Sequence, residues 1–179
     1  MDSTPLESHL QPAFIDELPR RLSEALASAP ACSFLSLTLP VRDFRGSPGL
    51  PAEGPAVWWG RPGEQRFRAG SGVAWEQATG GEGRFARLGA QWRALRAGWR
   101  ALGLDGAPAT RAAFLGFAFS PDAADPQLPN AMLCVPRAVV ERRGSTTLMH
   151  FNGAPGADAD DLVAAWSEAA RRLVAAAWQ

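Results

Sequence analysis

Apolar positions recur at steps of three and four in three stretches of the chain and at steps of two in several others, and the stretches predict different elements. From about Phe14 to Ala29, the residues Phe14, Leu18, Leu22, Ala25 and Leu26 fall on one helical face. Pro19 is expected to start or kink that helix. In "CSFLSLTLP", Phe34 and polar Ser36 alternate with Leu35, Leu37 and Leu39, which predicts a half-buried strand bounded by prolines. Residues 42–55 are too rich in glycine and proline for regular structure and read as a surface loop. "AVWWGRPGEQRFRAGSGVAWE" pairs an aromatic run with alternating "QRFRA" across Arg61-Pro62-Gly63-Glu64, the pattern of a hairpin. Trp58 and Trp59 then point to opposite faces.

The second helix is predicted from Glu82 to Leu102, where Phe85, Leu88, Trp92, Leu95, Trp99 and Leu102 keep helical spacing and Arg84, Arg87, Arg93, Arg96 and Arg100 take the other sides. Those arginines read as a solvated face rather than an anion-binding stripe. "AAFLGFAF" is apolar on both faces, as in a strand covered on each side, with Gly116 allowing close backbone approach. "AMLCVPRAVVERR" and "TTLMHF" flank Arg143-Gly144 and form a second hairpin. The last helix presents Leu162, Trp166, Ala169, Leu173 and Ala177 behind an N-cap at Asp158 or Asp160. The sum is an α+β fold: an antiparallel β-sheet with flanking helices, in a single domain over residues 1–179 behind a flexible polar leader at 1–12.

Composition narrows the partners. The chain has 179 residues and a formal net charge of zero, with its charges scattered, so neither a nucleic-acid footprint nor a basic membrane patch is present. No stretch approaches the roughly 20 apolar residues of a membrane span, and the N-terminus lacks a secretory signal, which points to the cytoplasm. All 18 basic residues other than histidine are arginine; there is no lysine. Arginine stays protonated at working pH and does not serve readily as a base.

Candidate chemistry is sparse. The two cysteines, Cys32 and Cys134, lie far apart in apolar strand-like runs without metal-ligand spacing, and read as buried free thiols. His9 sits in the polar leader and His150 in a hairpin strand, the latter read as a satisfied structural histidine rather than a catalytic one. Asp158, Asp160 and Asp161 stand where a helix N-terminus favours negative charge, so capping is preferred to metal binding. The glycine-rich segments lack the lysine and hydroxyl residue of a phosphate loop and the spacing of a dinucleotide fingerprint. The residues therefore offer no catalytic, cofactor-binding or metal-binding assignment.

Several motifs in order nonetheless carry a likeness. Val57-Trp58-Trp59, then Gly70-Ser71-Gly72, then the tryptophan-bearing helix, then Phe114-Leu115-Gly116-Phe117-Ala118-Phe119-Ser120-Pro121-Asp122 and Leu133-Cys134-Val135-Pro136-Arg137 resemble the N-terminal part of isochorismate synthases, in the chorismate-utilising enzyme family. The likeness spans roughly residues 30 to 150. Leu115 stands where the family often has glycine, and the usual tryptophan of the following elbow is missing. The resemblance implies a four-layer α/β/β/α fold and the Mg2+-dependent isomerisation of chorismate to isochorismate. In the family a lysine activates water, a glutamic acid assists loss of the C4 hydroxyl, and further carboxylates hold Mg2+. All of these belong to a C-terminal catalytic half, so the resemblance assigns no site residue here.

Two expectations follow. In one, the chain is the N-terminal scaffold of an isochorismate synthase-like protein, inactive alone, in a pathway leading to menaquinone, siderophores or salicylate. In the other, it is a free-standing binding or regulatory module that pairs with a partner protein. Either way the expected partner is the catalytic half or a second copy of the chain, joined through an apolar sheet face.

Overall fold

The computed structural model describes residues 12–41, 51, 54–119, 129–155 and 158–176. His9, most of the leader, residues 42–50 of the expected loop, the Ser120-Pro121-Asp122 motif and Ala177 lie outside the described residues. In chain order the elements are α1 (Pro12–Ala27), β1 (Phe34–Val41), β2 (Ala56–Arg61), β3 (Arg66–Thr79), α2 (Arg84–Gly98), β4 (Trp99–Gly103), β5 (Phe114–Phe117), β6 (Ala131–Arg143), β7 (Thr146–Gly153) and α3 (Ala159–Ala176). The fold is α+β, with the strands in one sheet of order β2-β3-β6-β7-β1-β4. β5 pairs with Ala131–Cys134 of β6, on the edge that β7 occupies further along. Every pairing is antiparallel except β1 with β4, where Phe34 stands opposite Trp99 and the strands run parallel.

One face of the sheet is covered by α1 and α3. Leu18 and Leu22 of α1, and Trp166 and Leu173 of α3, pack on Leu35, Leu37 and Leu39 of β1, Met149 and Phe151 of β7 and Val140 of β6. Each such side chain contributes roughly 1.5–3 kcal/mol by leaving water. Trp166 keeps its indole N–H satisfied by donating to the Asn152 carbonyl at 2.7 Å. Pro19 falls inside α1 rather than at its start. Asp158 caps α3, its carboxylate accepting the Asp160 N–H at 2.9 Å.

Neighbouring residues of a strand point to opposite faces, and Phe34, unlike Leu35, joins a cluster with Trp99 and Val135 under Trp92 and Leu95 of α2. Helices therefore lie on both faces, α2 opposite α1 and α3. Both expected hairpins form. β2 and β3 are joined through Pro62–Glu64, with Gln65 in the left-handed region at φ 49°. β6 and β7 turn at Gly144, whose φ of 58° suits a residue without a side chain.

The structure corrects several expectations. The second helix stops at Gly98, and Trp99 and Leu102 belong to β4. β1 is buried on both faces, Ser36 and Thr38 included. β5 is the reverse case: Leu115 and Phe117 are more than half exposed and Phe119 is 96% exposed. Gly116 meets no close neighbour, for a side chain there would find nothing within 4 Å. Trp58 and Trp59 also remain substantially exposed.

Candidate functional site

The second sheet face carries a buried polar row that alternation alone dictates. Ser36 and Thr38 on β1, and His150 and Asn152 on β7, are cross-strand partners, and none of the four is more than 1% exposed. Trp99 of β4 donates its indole N–H to Ser36 Oγ at 2.7 Å. Ser36 donates in turn to Asn152 Oδ1, and Asn152 donates to the Pro136 carbonyl at 2.7 Å. Beside this run, Thr38 Oγ1 lies 3.0 Å from His150 Nδ1, and His150 Nε2 lies 3.1 Å from Glu141 Oε2. Each polar side chain of this row thus has the partner that burial demands.

Glu141 of β6 anchors the row at its charged end. Arg68 Nε donates to Glu141 Oε1 at 2.9 Å and Arg143 Nε to the same oxygen at 2.7 Å. Burial by itself would raise the Glu141 pKa, but hydrogen bonds from His150 and Arg143 and the charge and hydrogen bond of Arg68 reverse this and lower it to about 2. An ionised Glu141 can only accept, so His150 donates to it from Nε2, while Nδ1 faces the Thr38 hydroxyl. The row orients groups toward one another and offers none of them to a substrate.

Arg68 links the row to an opening on this face. A cleft of about 540 Å³ is lined by Phe85, Leu88 and Trp92 of α2, Leu133 of β6, and the two cations Arg68 and Arg111. Arg111 is positioned by donating to the Trp99 carbonyl at 2.7 Å. Among the described residues that line the cleft there is no carboxylate. Apolar walls with two guanidinium groups suit a small anion with an apolar body, while nothing on the walls is placed to take up a proton.

Of the residues singled out in sequence, His150 is the hydrogen-bonded strand histidine expected. Cys32 and Cys134 are free thiols, Cys134 buried and Cys32 half-buried. Burial, assisted by Glu76, pushes the Cys134 thiol up to about 11, which removes it as a nucleophile near neutral pH. No group of three or more His, Cys, Asp or Glu side chains that could hold a metal occurs among the described residues. Sequence reasoning missed Glu141, Arg68, Ser36, Thr38 and Asn152. The available signal was the polar member recurring at every second position of two otherwise apolar strands.

The described chain has no helix long and apolar enough to cross a membrane. No curated protein matches the sequence. Among solved structures, the fold is similar to that of MenF, the menaquinone-specific isochorismate synthase from Escherichia coli, with a TM-score of 0.52 at 14% identity. That match covers 90% of this chain and 34% of the MenF chain, so the chain spans about a third of the length of that solved protein. A family model described as "Chorismate binding enzyme" matches residues 38–177, most of the chain. With the element order of the fold and the family model in agreement, the chain belongs to the chorismate binding enzyme family.

Proposed function

We propose that the chain is the N-terminal scaffold of an isochorismate synthase-like protein of the cytoplasm, and that the residues performing the isomerisation lie on another segment or chain. The supporting observation is that the polar groups of the buried row on the second sheet face are engaged with one another. Glu141, the buried carboxylate of that face, is held by His150, Arg68 and Arg143, and the sequence contains no lysine to activate water. The described residues do not fit the Mg2+ that the family reaction uses: both oxygens of Glu141 face hydrogen-bond donors, and no second buried carboxylate accompanies it. The part left to this chain is mechanical, to hold a sheet in shape and present α2 and β5.

The test is incubation of the full chain with chorismate and Mg2+, with chromatographic detection of isochorismate. No product is expected from this chain alone; turnover that persists through independent purifications overturns the reading.

A second reading, a free-standing module that pairs with a partner protein, draws support from the exposed strip of Phe85, Leu115, Phe117 and Phe119. Phe117 packs edge-on against Phe85 at 5.5 Å and against Phe119 at 6.1 Å, so the strip is continuous. Patches of this kind on soluble proteins mark contact surfaces. The reading frame beyond Gln179 separates the two: continuation into a segment with a lysine and paired glutamates favours the scaffold, and a stop codon favours the module.

A further inference from the structure

Ser71 and Gly72 of the Gly70-Ser71-Gly72 segment of β3, unused in either reading above, line a second pocket, on the α3 side of the sheet. We propose that this pocket binds the oxyanion group, carboxylate or phosphate, of a small organic molecule. The pocket measures about 400 Å³ and is lined by Pro55 and by Ala165 and Ala169 of α3 as well. Ala165 and Ala169 are one helical turn apart and bring short side chains to the pocket.

The observation that points to a ligand is Ser71. Its side chain is 1% exposed and lines the pocket, yet its hydroxyl has no hydrogen-bond partner among the described residues. Buried hydroxyls are almost always paired, and an unpartnered one on a residue that lines a pocket is a donor available to what enters it. Two cations share the space. Arg137 is fixed by donating from Nε to the Val73 carbonyl at 2.9 Å, and Arg172 of α3 by donating from Nε to Glu168 at 3.1 Å. In both, the outer nitrogens of the fork remain for an anion. Among the described residues of the wall, Glu168 is the single carboxylate, against the two guanidinium groups of Arg137 and Arg172.

The backbone is built for this opening. Gly72 has a φ of +67°, and a Cβ placed there would press on the Arg137 side chain at 3.1 Å. β3 slips register between Val73 and Trp75, a bulge of the sort that re-aims side chains beside binding sites. The volume exceeds what a bare inorganic ion needs, and Pro55, Val73, Ala165 and Ala169 supply apolar wall for the remainder of an organic anion.

The experiment is calorimetric titration of the full chain with benzoate and with phenyl phosphate, potassium chloride serving as the ionic-strength control. Saturable one-to-one binding of either anion is expected, and the anion that binds identifies the source as carboxylate or phosphate. Ser71→Ala, which removes only the orphan hydroxyl, and Arg172→Gln, on the exposed side of α3, should each weaken binding by about tenfold, the loss of one charge-assisted hydrogen bond. Arg93→Gln, which removes the same charge from α2, should leave it unchanged. Absence of saturable binding by both anions, or equal binding by the Ser71→Ala and Arg172→Gln chains, overturns the proposal. Because the readout is binding and not turnover, its failure is distinct from failure of the scaffold reading.

Discussion

Trp99 and Ser36 are joined by an indole N–H to hydroxyl hydrogen bond of 2.7 Å across the parallel β1–β4 pair. The same contact ties the second-face cluster of Phe34, Trp92 and Trp99 to the polar row of the sheet: the Trp99 ring stands edge-on to Phe34 at 5.1 Å and to Trp92 at 5.7 Å. Ser36 is thus the point where the apolar packing of α2 meets the hydrogen-bonded interior, and its removal should be felt in both.

Ser36→Ala leaves the Trp99 N–H and the Asn152 amide oxygen without this partner in a fully buried place. An unpaired buried donor costs about 1–3 kcal/mol, so the variant should unfold at clearly lower urea concentration with an unchanged slope. Phe119→Ala, at a site 96% exposed, should stay within about 0.5 kcal/mol of the parent. Urea titration followed by tryptophan fluorescence compares them. Equal midpoints for Ser36→Ala and the parent would contradict the role assigned to Ser36.

Acid should loosen the fold through Glu141. Its pKa is lowered from 4.5 to about 2 in the folded chain, so on acidification the unfolded state takes up this proton first. The stabilisation is whole above the unfolded pKa, is lost as pH falls from about 4.5 and is gone near 2. Its size is on the order of 3 kcal/mol, from the magnitude of the shift. Glu141→Gln cannot titrate, so the stability gap between parent and variant should narrow across that window. A gap constant from neutral to acid pH would refute the assignment.

Thiol labelling should distinguish the two cysteines. With its pKa pushed up to about 11, Cys134 holds only about one thiolate in a thousand at pH 8. It is also buried, while Cys32 is half-buried. A chromogenic disulfide reagent is expected to modify Cys32 in the native chain and to reach Cys134 only under denaturant. Two rapid native equivalents, or loss of the fast phase in Cys134→Ser rather than Cys32→Ser, would overturn this.

The sequence by itself determined the elements with an unambiguous period and the turns with a chemical reason. α1 and α3 bury the faces their spacing predicts, and Asp158 caps where a helix N-terminus wants an acceptor. The hairpin ends fall at Pro62–Glu64 and Gly144, residues whose backbone preferences suit a turn. Such features are local, and local chemistry is written in the order of residues.

Only the tertiary structure decided the rest. Trp99 continues the three-and-four spacing of Leu88, Trp92 and Leu95, so periodicity could not end the helix at Gly98; pairing of β4 with β1, 63 residues away at the Trp99–Ser36 bond, did. The apolar run at Phe114–Phe117 is what a covered strand would show, yet whether a layer covers it depends on what the remaining chain can reach, and here Leu115 and Phe117 stay exposed. Glu141, His150, Thr38 and Arg68 look like scattered polar residues until strand register sets them side by side. A side chain's partner is fixed by which strand lies next to it, and that choice is made by the packing of the whole sheet.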